Sequence, residues 1–147
     1  MLDDRVRAVL EDTTLGRFLF ALVTPQSDCG VLEVGSCATI WLAAGVRYFS
    51  GSVLTVEPDR AGELRGRIAE AGLEDWAEVV DSLDGIEDVF DVVVIAPGQD
   101  AAALLPRLRE LVEPGALIVS TSPLDAAGLL SVAVPLDPPL ELSVVLE

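Results

Sequence analysis

The sequence predicts one α/β domain, a three-layer sandwich around a mostly parallel sheet that ends in an antiparallel C-terminal hairpin. Three observations predict it. Short apolar, β-branched runs alternate with helix-like segments between residues 30 and 121. The run at 90–96 is almost continuously apolar, as in a strand buried on both faces. Two final strand-like runs, 130–136 and 140–146, are joined only by Asp137-Pro138-Pro139. No crossover helix fits there, so the two must pair antiparallel.

The elements follow in order. Residues 3–12 carry Val6, Val9 and Leu10 at helical spacing, and 15–23 form a second short apolar helix. Residues 25–28 break the pattern, and 30–35 read as a strand that stops at Gly35. A helix at 39–44 closes at Gly45, and residues 52–57 make the next strand. Pro58-Asp59 opens a helix that runs to Ala71 and stops at Gly72. Residues 77–81 form a third strand and 90–96 the fourth, ended by Pro97-Gly98. The following helix, 100–112, contains Pro106, which should kink or divide it. Pro114-Gly115 leads into a fifth strand at 116–121. No repeat or linker interrupts the chain, so residues 1–147 form one domain, with N-terminal helices in 1–25 and the sheet core in 29–147.

Composition narrows the function. The apolar share of 51% excludes a disordered chain. The apolar run at 15–23 is interrupted by Gly16 and Arg17 and falls far short of the ~20 residues of a membrane span. Asp3, Asp4 and Arg5 do not have the layout of a secretory signal, so a cytoplasmic protein is expected. The formal net charge is −16, from 25 acidic and 9 basic residues, all of them arginine. Such a chain offers little basic surface to neutralise phosphates, so neither nucleic acid nor an anionic membrane is expected as a partner.

There is no histidine and no lysine. Proton transfer must fall to carboxylates, Tyr48, or the thiols Cys29 and Cys37. The two thiols bracket an extended strand of ~3.3 Å per residue, which separates them beyond the ~7 Å limit for a disulfide. Free thiols are expected.

Ligands of such sheets bind beyond the carboxyl ends of the strands, where strand order reverses. The residues there are 35–39, 57–59, 81–82, 96–99 and 120–123. Glu57, at the end of the second strand, suits a bidentate hold on the two hydroxyls of a ribose. A dinucleotide fingerprint would need glycines at 35, 37 and 40, whereas the chain has Gly35, Cys37 and Ile40.

A resemblance carries the reading further. Val31-Leu32-Glu33-Val34-Gly35-Ser36, then Thr39-Ile40-Trp41-Leu42-Ala43, then Leu54-Thr55-Val56-Glu57-Pro58-Asp59 resemble class I S-adenosylmethionine (SAM) methyltransferases. The nearest group is the catechol/caffeoyl-CoA O-methyltransferase-like one. Residues 70–75, 90–95 and 113–119 continue the likeness in the same order, over roughly 28–122. The resemblance implies a Rossmann-like sheet of class I methyltransferase topology and SAM as cofactor. It places Glu33, Gly35 and Ser36 in the first glycine-rich motif beside the methionine part of SAM. It gives Glu57 the ribose, and sets Asp81 and Ser82 near the adenine. For Glu33 and Asp81 a structural role stands level with a functional one. Trp41 and Trp76 read as packing residues rather than cofactor platforms.

The departures are as informative. About three residues are missing before Thr39, where the family carries further glycines and a Gly-Tyr-Ser stretch. The aspartates and the Asp-Asn pair of the metal-dependent members are replaced by Ala96-Pro97-Gly98 and Ser120-Thr121-Ser122-Pro123. A hard divalent cation needs such oxygen ligands, so no metal is expected. The segments that would cover a substrate are thin, and a lid from a second subunit is expected to complete the pocket. The surface expected for self-association is the N-terminal pair of helices, with Phe18, Leu19, Phe20 and Leu22, unless these pack on the sheet. Two functions follow: a metal-independent SAM methyltransferase acting on a small molecule, or a non-catalytic methyltransferase-like protein working through a partner or as a structural dimer. Glu57 is expected at an exposed strand end, where its replacement would barely affect folding.

Overall fold

The structure, a computed structural model, describes residues 2–147. Its elements run α1 (Asp4–Val9), α2 (Thr14–Val23), β1 (Gly30–Val34), α3 (Thr39–Val46), β2 (Ser52–Val56), α4 (Ala61–Glu70) and β3 (Ala77–Val80). They continue with β4 (Phe90–Ile95), α5 (Ala101–Arg109), β5 (Val112–Ser120), β6 (Leu129–Val134) and β7 (Leu140–Val145). The strands form one sheet in the order β3-β2-β1-β4-β5-β7-β6. β1 pairs in parallel with β2 and β4, as do β2 with β3 and β4 with β5. β7 is antiparallel to both β5 and β6, as the Asp137-Pro138-Pro139 connection predicts.

Alternation along the central strands makes the two cores. Val31, Val92 and Val94 face one layer, where they meet Leu19, Val23, Leu42 and Leu64 of the helices. Leu32, Val34, Val93 and Ile95 face the other, against Leu105 and Leu108 of α5 and Leu124 of a loop. A fully buried Leu contributes about 1.5–3 kcal/mol over an exposed one, so these stripes set the register firmly. Three helices start at side-chain caps: Asp3 accepts from the Val6 amide at 3.0 Å, Thr13 from Gly16 at 3.0 Å, and Asp100 from Ala103 at 3.2 Å.

Four expectations need correction. Gly45 does not close α3; the helix runs one residue further, to Val46, and the glycine serves packing, since a β-carbon there would lie 2.8 Å from Val23 Cγ2. Gly45 is a helix-contact glycine, and the left-handed turn falls at Ser50 instead. Pro106 lies inside an undivided α5, which ends at Arg109, short of the expected 112. β5 starts at Val112, and Pro114-Gly115 lie inside it, where the register with β4 shifts between Phe90 and Val92. The apolar face of α2 is not an open patch. Leu19 is buried, Phe20 packs edge-on against Trp41 at 5.8 Å between ring centres, and the helix lies on α3. Among the exposed large apolar side chains, two stand on edge strand β6, Leu130 at 59% and Val132 at 55%.

Two glycines make opposite predictions. A β-carbon at Gly16 would lie 2.1 Å from the Trp41 ring, whose Nε1 donates to the Glu11 carbonyl at 2.8 Å. Gly16→Ala is expected to destabilise by about 1–3 kcal/mol. Gly66, inside α4, has no heavy atom within 4 Å of its would-be β-carbon. Gly66→Ala is expected to stabilise by about 0.4–1 kcal/mol. Chemical denaturation of the two variants checks both signs.

Candidate functional site

The chain leaves β1 toward β2 on one side, while β4 lies on the other, so the switch point is the carboxyl edge between β1 and β4. Six residues singled out in the sequence lie along this edge and its extension to β3.

Glu33 is the fourth residue of β1 and is fully buried. Its parity with Val31 points it toward α3. One carboxylate oxygen accepts from the amides of Cys37 and Ala38 at 3.1 and 2.8 Å. The other accepts from the hydroxyls of Thr39 at 2.5 Å and Thr55 at 2.8 Å. The Cys37 thiol adds a longer contact of 3.4 Å. Glu33 thus ties the shortened loop, the start of α3 and β2 to one point. It holds the loop from below.

Gly35 has φ +82, which only glycine adopts without strain. A β-carbon there would lie 2.9 Å from both the Ala96 β-carbon and Gln99 Nε2. The β4 side of this glycine is therefore filled.

Ser36 and Glu57 meet. The Ser36 hydroxyl donates a short hydrogen bond to Glu57 Oε1. Oε2 accepts from the amides of Asp59 at 3.1 Å and Arg60 at 3.4 Å. Glu57 is only 7% exposed, which corrects the expected exposed strand end. Its carboxyl is held below the ordinary value of 4.5, first by Ser36 and then by the Asp59 amide.

Asp81 follows β3 and is exposed, next to the backbone link in which the Glu57 amide donates to the Val80 carbonyl at 2.8 Å. The Ser82 hydroxyl turns away into its own loop and accepts from the Asp84 amide at 3.0 Å. That loop is pinned by Arg107, which donates to the carbonyls of Ile86 at 2.6 Å and Leu83 at 3.3 Å. Nothing in the sequence around Arg107 announces this role.

A cavity of about 450 Å³ opens beside Ser36, between residues 9–11, the start of α3 and the first turns of α4. Cys37, Thr39, Arg60, Glu63 and Arg67 are among its walls. Neither the Cys37 thiol in this wall nor that of Cys29, which lies just before β1 and outside the cavity, is a ready base or nucleophile. Burial, with Asp91 nearby, pushes Cys29 up to about 11, and burial followed by Glu33 pushes Cys37 up strongly. Both cysteines are free. Among the described residues, no three His, Cys, Asp or Glu side chains come together as metal ligands.

This strand order, with β7 antiparallel, is the class I methyltransferase fold. No family model matches the chain, and no curated protein matches it in sequence. Solved structures match over nearly its whole length. The O-methyltransferase from Bacillus cereus in complex with S-adenosylhomocysteine (SAH) superposes with a TM-score of 0.80 at 24% identity, over 97% of this chain and 91% of that one. The cofactor-bound protein Rv0187 from MTB has a TM-score of 0.75 at 25% identity, over 97% and 87% of the chains. The O-methyltransferase TomG from Streptomyces achromogenes in complex with SAM has a TM-score of 0.69 at 19% identity, over 99% and 91%.

Two variants test the edge. Glu33→Ala strands two hydroxyls and two amides in a buried site, with an expected cost of roughly 3 kcal/mol or more in denaturant unfolding. Ser36→Ala tests Glu57. A depressed folded pKa gives stability that is full above the unfolded pKa and lost as pH falls through the folded one. Removing Ser36 brings the folded value back toward 4.5, so this loss shrinks and the acid decline flattens. Thermal midpoints recorded across the acid range for both forms check this.

Proposed function

We propose that this chain is a SAM-dependent methyltransferase of metal-independent type, acting on a small molecule. The observation that carries the reading is Glu57. It is a carboxylate at the end of β2, beside the switch point, in a fold whose matched structures include SAH- and SAM-bound O-methyltransferases. Its two oxygens stand where a ribose diol can take them once the Ser36 hydroxyl turns away. Gly35 and Ser36 would border the methionine part of the cofactor, and Asp81 with Ser82 would border the adenine. Bound SAM would supply an electrophilic methyl group.

The residues present do not fit a divalent cation. Ala96-Pro97-Gly98 after β4 and Ser120-Thr121-Ser122-Pro123 after β5 offer no carboxylate. With both thiols held protonated and no histidine or lysine, only carboxylates and Tyr48 are left to take an acceptor's proton. The chain's contribution is position and exclusion of water, which suits acceptors that are already anionic or readily ionised. Among the described residues no helix is long and apolar enough to cross a membrane. A cytoplasmic, self-associating protein remains part of the reading, with β6 replacing α2 as the apolar surface for a second copy. The non-catalytic alternative has its own support in the closed Ser36–Glu57 pair and in Gln99 packed against Gly35.

Calorimetric titration with SAM and SAH decides between them. Binding by the natural chain is expected, and no binding would favour the non-catalytic alternative. Glu57→Ala should lose about 1.5–3 kcal/mol of binding, roughly 10- to 150-fold. Because Glu57 also secures Ser36 and two loop amides, the variant should unfold more readily as well, by about 1–2 kcal/mol. Unchanged SAH affinity in a folded variant would remove Glu57 from the site.

A further inference from the structure

We propose that the cavity beside Ser36 receives the aminoacyl arm of the cofactor and that the Arg60 guanidinium pairs with its carboxylate, an inference that rests on reading Glu57 as the ribose anchor.

Arg60 is set apart from the other cations of the chain. Of the nine basic residues, Arg5, Arg7, Arg65, Arg67 and Arg109 donate to backbone carbonyls. Arg17 and Arg47 pair with Asp12 and Asp3, and Arg107 pairs with Glu110 and grips loop carbonyls. Among the described residues, the Arg60 side chain alone makes no hydrogen bond or ion pair. It also stands at the N-cap of α4, without a side-chain cap bond. Ser, Thr, Asp and Asn favour that position, and a cation there faces the positive end of the helix dipole. Helix formation does not account for it. The charge of Arg60 acts on Glu57, but its N–H donors stay unused, and a bound anion would take them.

The geometry supplies the anion's route. Ser36 and Arg60 belong both to the setting of Glu57 and to the cavity wall. An arm leaving a ribose on Glu57 toward Gly35 meets Ala96 and Gln99, which fill that side. Past Ser36 it enters the cavity of about 450 Å³, a volume ordinary for a small-molecule site. The charges there are mixed. Arg60 and Arg67 face Glu11 and Glu63, with Arg67 already donating to the Val9 carbonyl at 3.0 Å. A zwitterion matches such a wall, its carboxylate at Arg60 and its ammonium toward a glutamate. The loop between Gly35 and Thr39 that forms one wall is tied down by Glu33.

The test compares SAH with 5′-methylthioadenosine, which keeps the adenosine and the sulfur but has no amino-acid arm. Arg60→Gln, Arg60→Lys and Glu57→Ala are titrated beside the natural chain, with thermal midpoints to show that each is folded. Arg60→Gln is expected to weaken SAH about 3- to 5-fold, the upper part of the range for one partly screened charge pair, and to leave methylthioadenosine unchanged within twofold. Arg60→Lys should recover part of the loss. Added salt should weaken SAH in the natural chain more than in Arg60→Gln. Equal SAH affinity in Arg60→Gln and the natural chain, with Glu57→Ala weakened for both ligands, would overturn the role of Arg60 and leave the ribose reading standing. Failure of the natural chain to bind either ligand would overturn both.

Discussion

Four hydrogen bonds and a thiol contact converge on one buried carboxylate at the end of β1, and the shape of the carboxyl edge follows from that convergence. A carboxylate taken out of water is costly unless its lone pairs are matched. Here each oxygen of Glu33 is met twice, by loop amides on one side and by threonine hydroxyls on the other. The amides are those at the entry to α3, where unpaired N–H groups concentrate positive charge. Thr55 brings in β2. One residue therefore fixes the position of Ser36 relative to Glu57, because Ser36 belongs to the tied loop and Glu57 follows the tied strand. The Ser36–Glu57 bond and the cavity beside it are consequences of that anchor.

This arrangement gives the missing loop residues a physical meaning. A long glycine-rich loop can fold over a cofactor, using backbone freedom at the point of closest approach. A short loop cannot reach so far. It can be rigid instead, and Glu33 makes it so. The chain exchanges an enclosing loop for a preformed edge whose open side is bounded by α4 and by residues 9–11. Preformed sites lose less conformational entropy on binding. The same exchange would leave the arm of a bound cofactor more exposed, and on the proposal above α4 would supply contacts that a longer loop would otherwise make.

The fold was legible because it is written in patterns that tertiary structure rarely overrides. Continuous apolar runs, a carboxylate ending β2 and a proline-rich connection too short for a helix lead directly to a parallel sheet with an antiparallel end. What misled the reading were residues whose local and tertiary meanings differ. Gly45 has the composition of a helix stop, but its lack of a side chain serves the approach of α2 to α3. Phe20 and Leu22 look like an open patch until α3 is placed beneath them. Within the site, Gly35, Ser36 and Glu57 could be singled out as residues at strand ends and Glu33 through the family resemblance, while the hydrogen bond that Ser82 accepts from the Asp84 amide had no signal in the sequence. The burial of Glu57 could not be foreseen, since it depends on a hydroxyl distant in sequence. Nor could the importance of Gln99, which acts by filling space.

Arg60 marks a different kind of gap in the reading. Its position one residue before α4 was visible in the sequence, and capping preferences already make an arginine there unusual. What the sequence cannot show is the use made of every other cation. A chain with no lysine or histidine draws on arginine for clamping carbonyls, fixing helix ends and pinning loops, so an arginine near a site is weak support for binding by itself. Its weight comes from comparison within the same molecule. Eight guanidiniums are held by oxygen atoms of the chain. The ninth belongs to the wall of a cavity, and its own amide donates to the Glu57 carboxylate. In a protein of net charge −16, that guanidinium makes no hydrogen bond to the chain and acts on Glu57 through its charge alone, which leaves its N–H donors open to a ligand's own carboxylate.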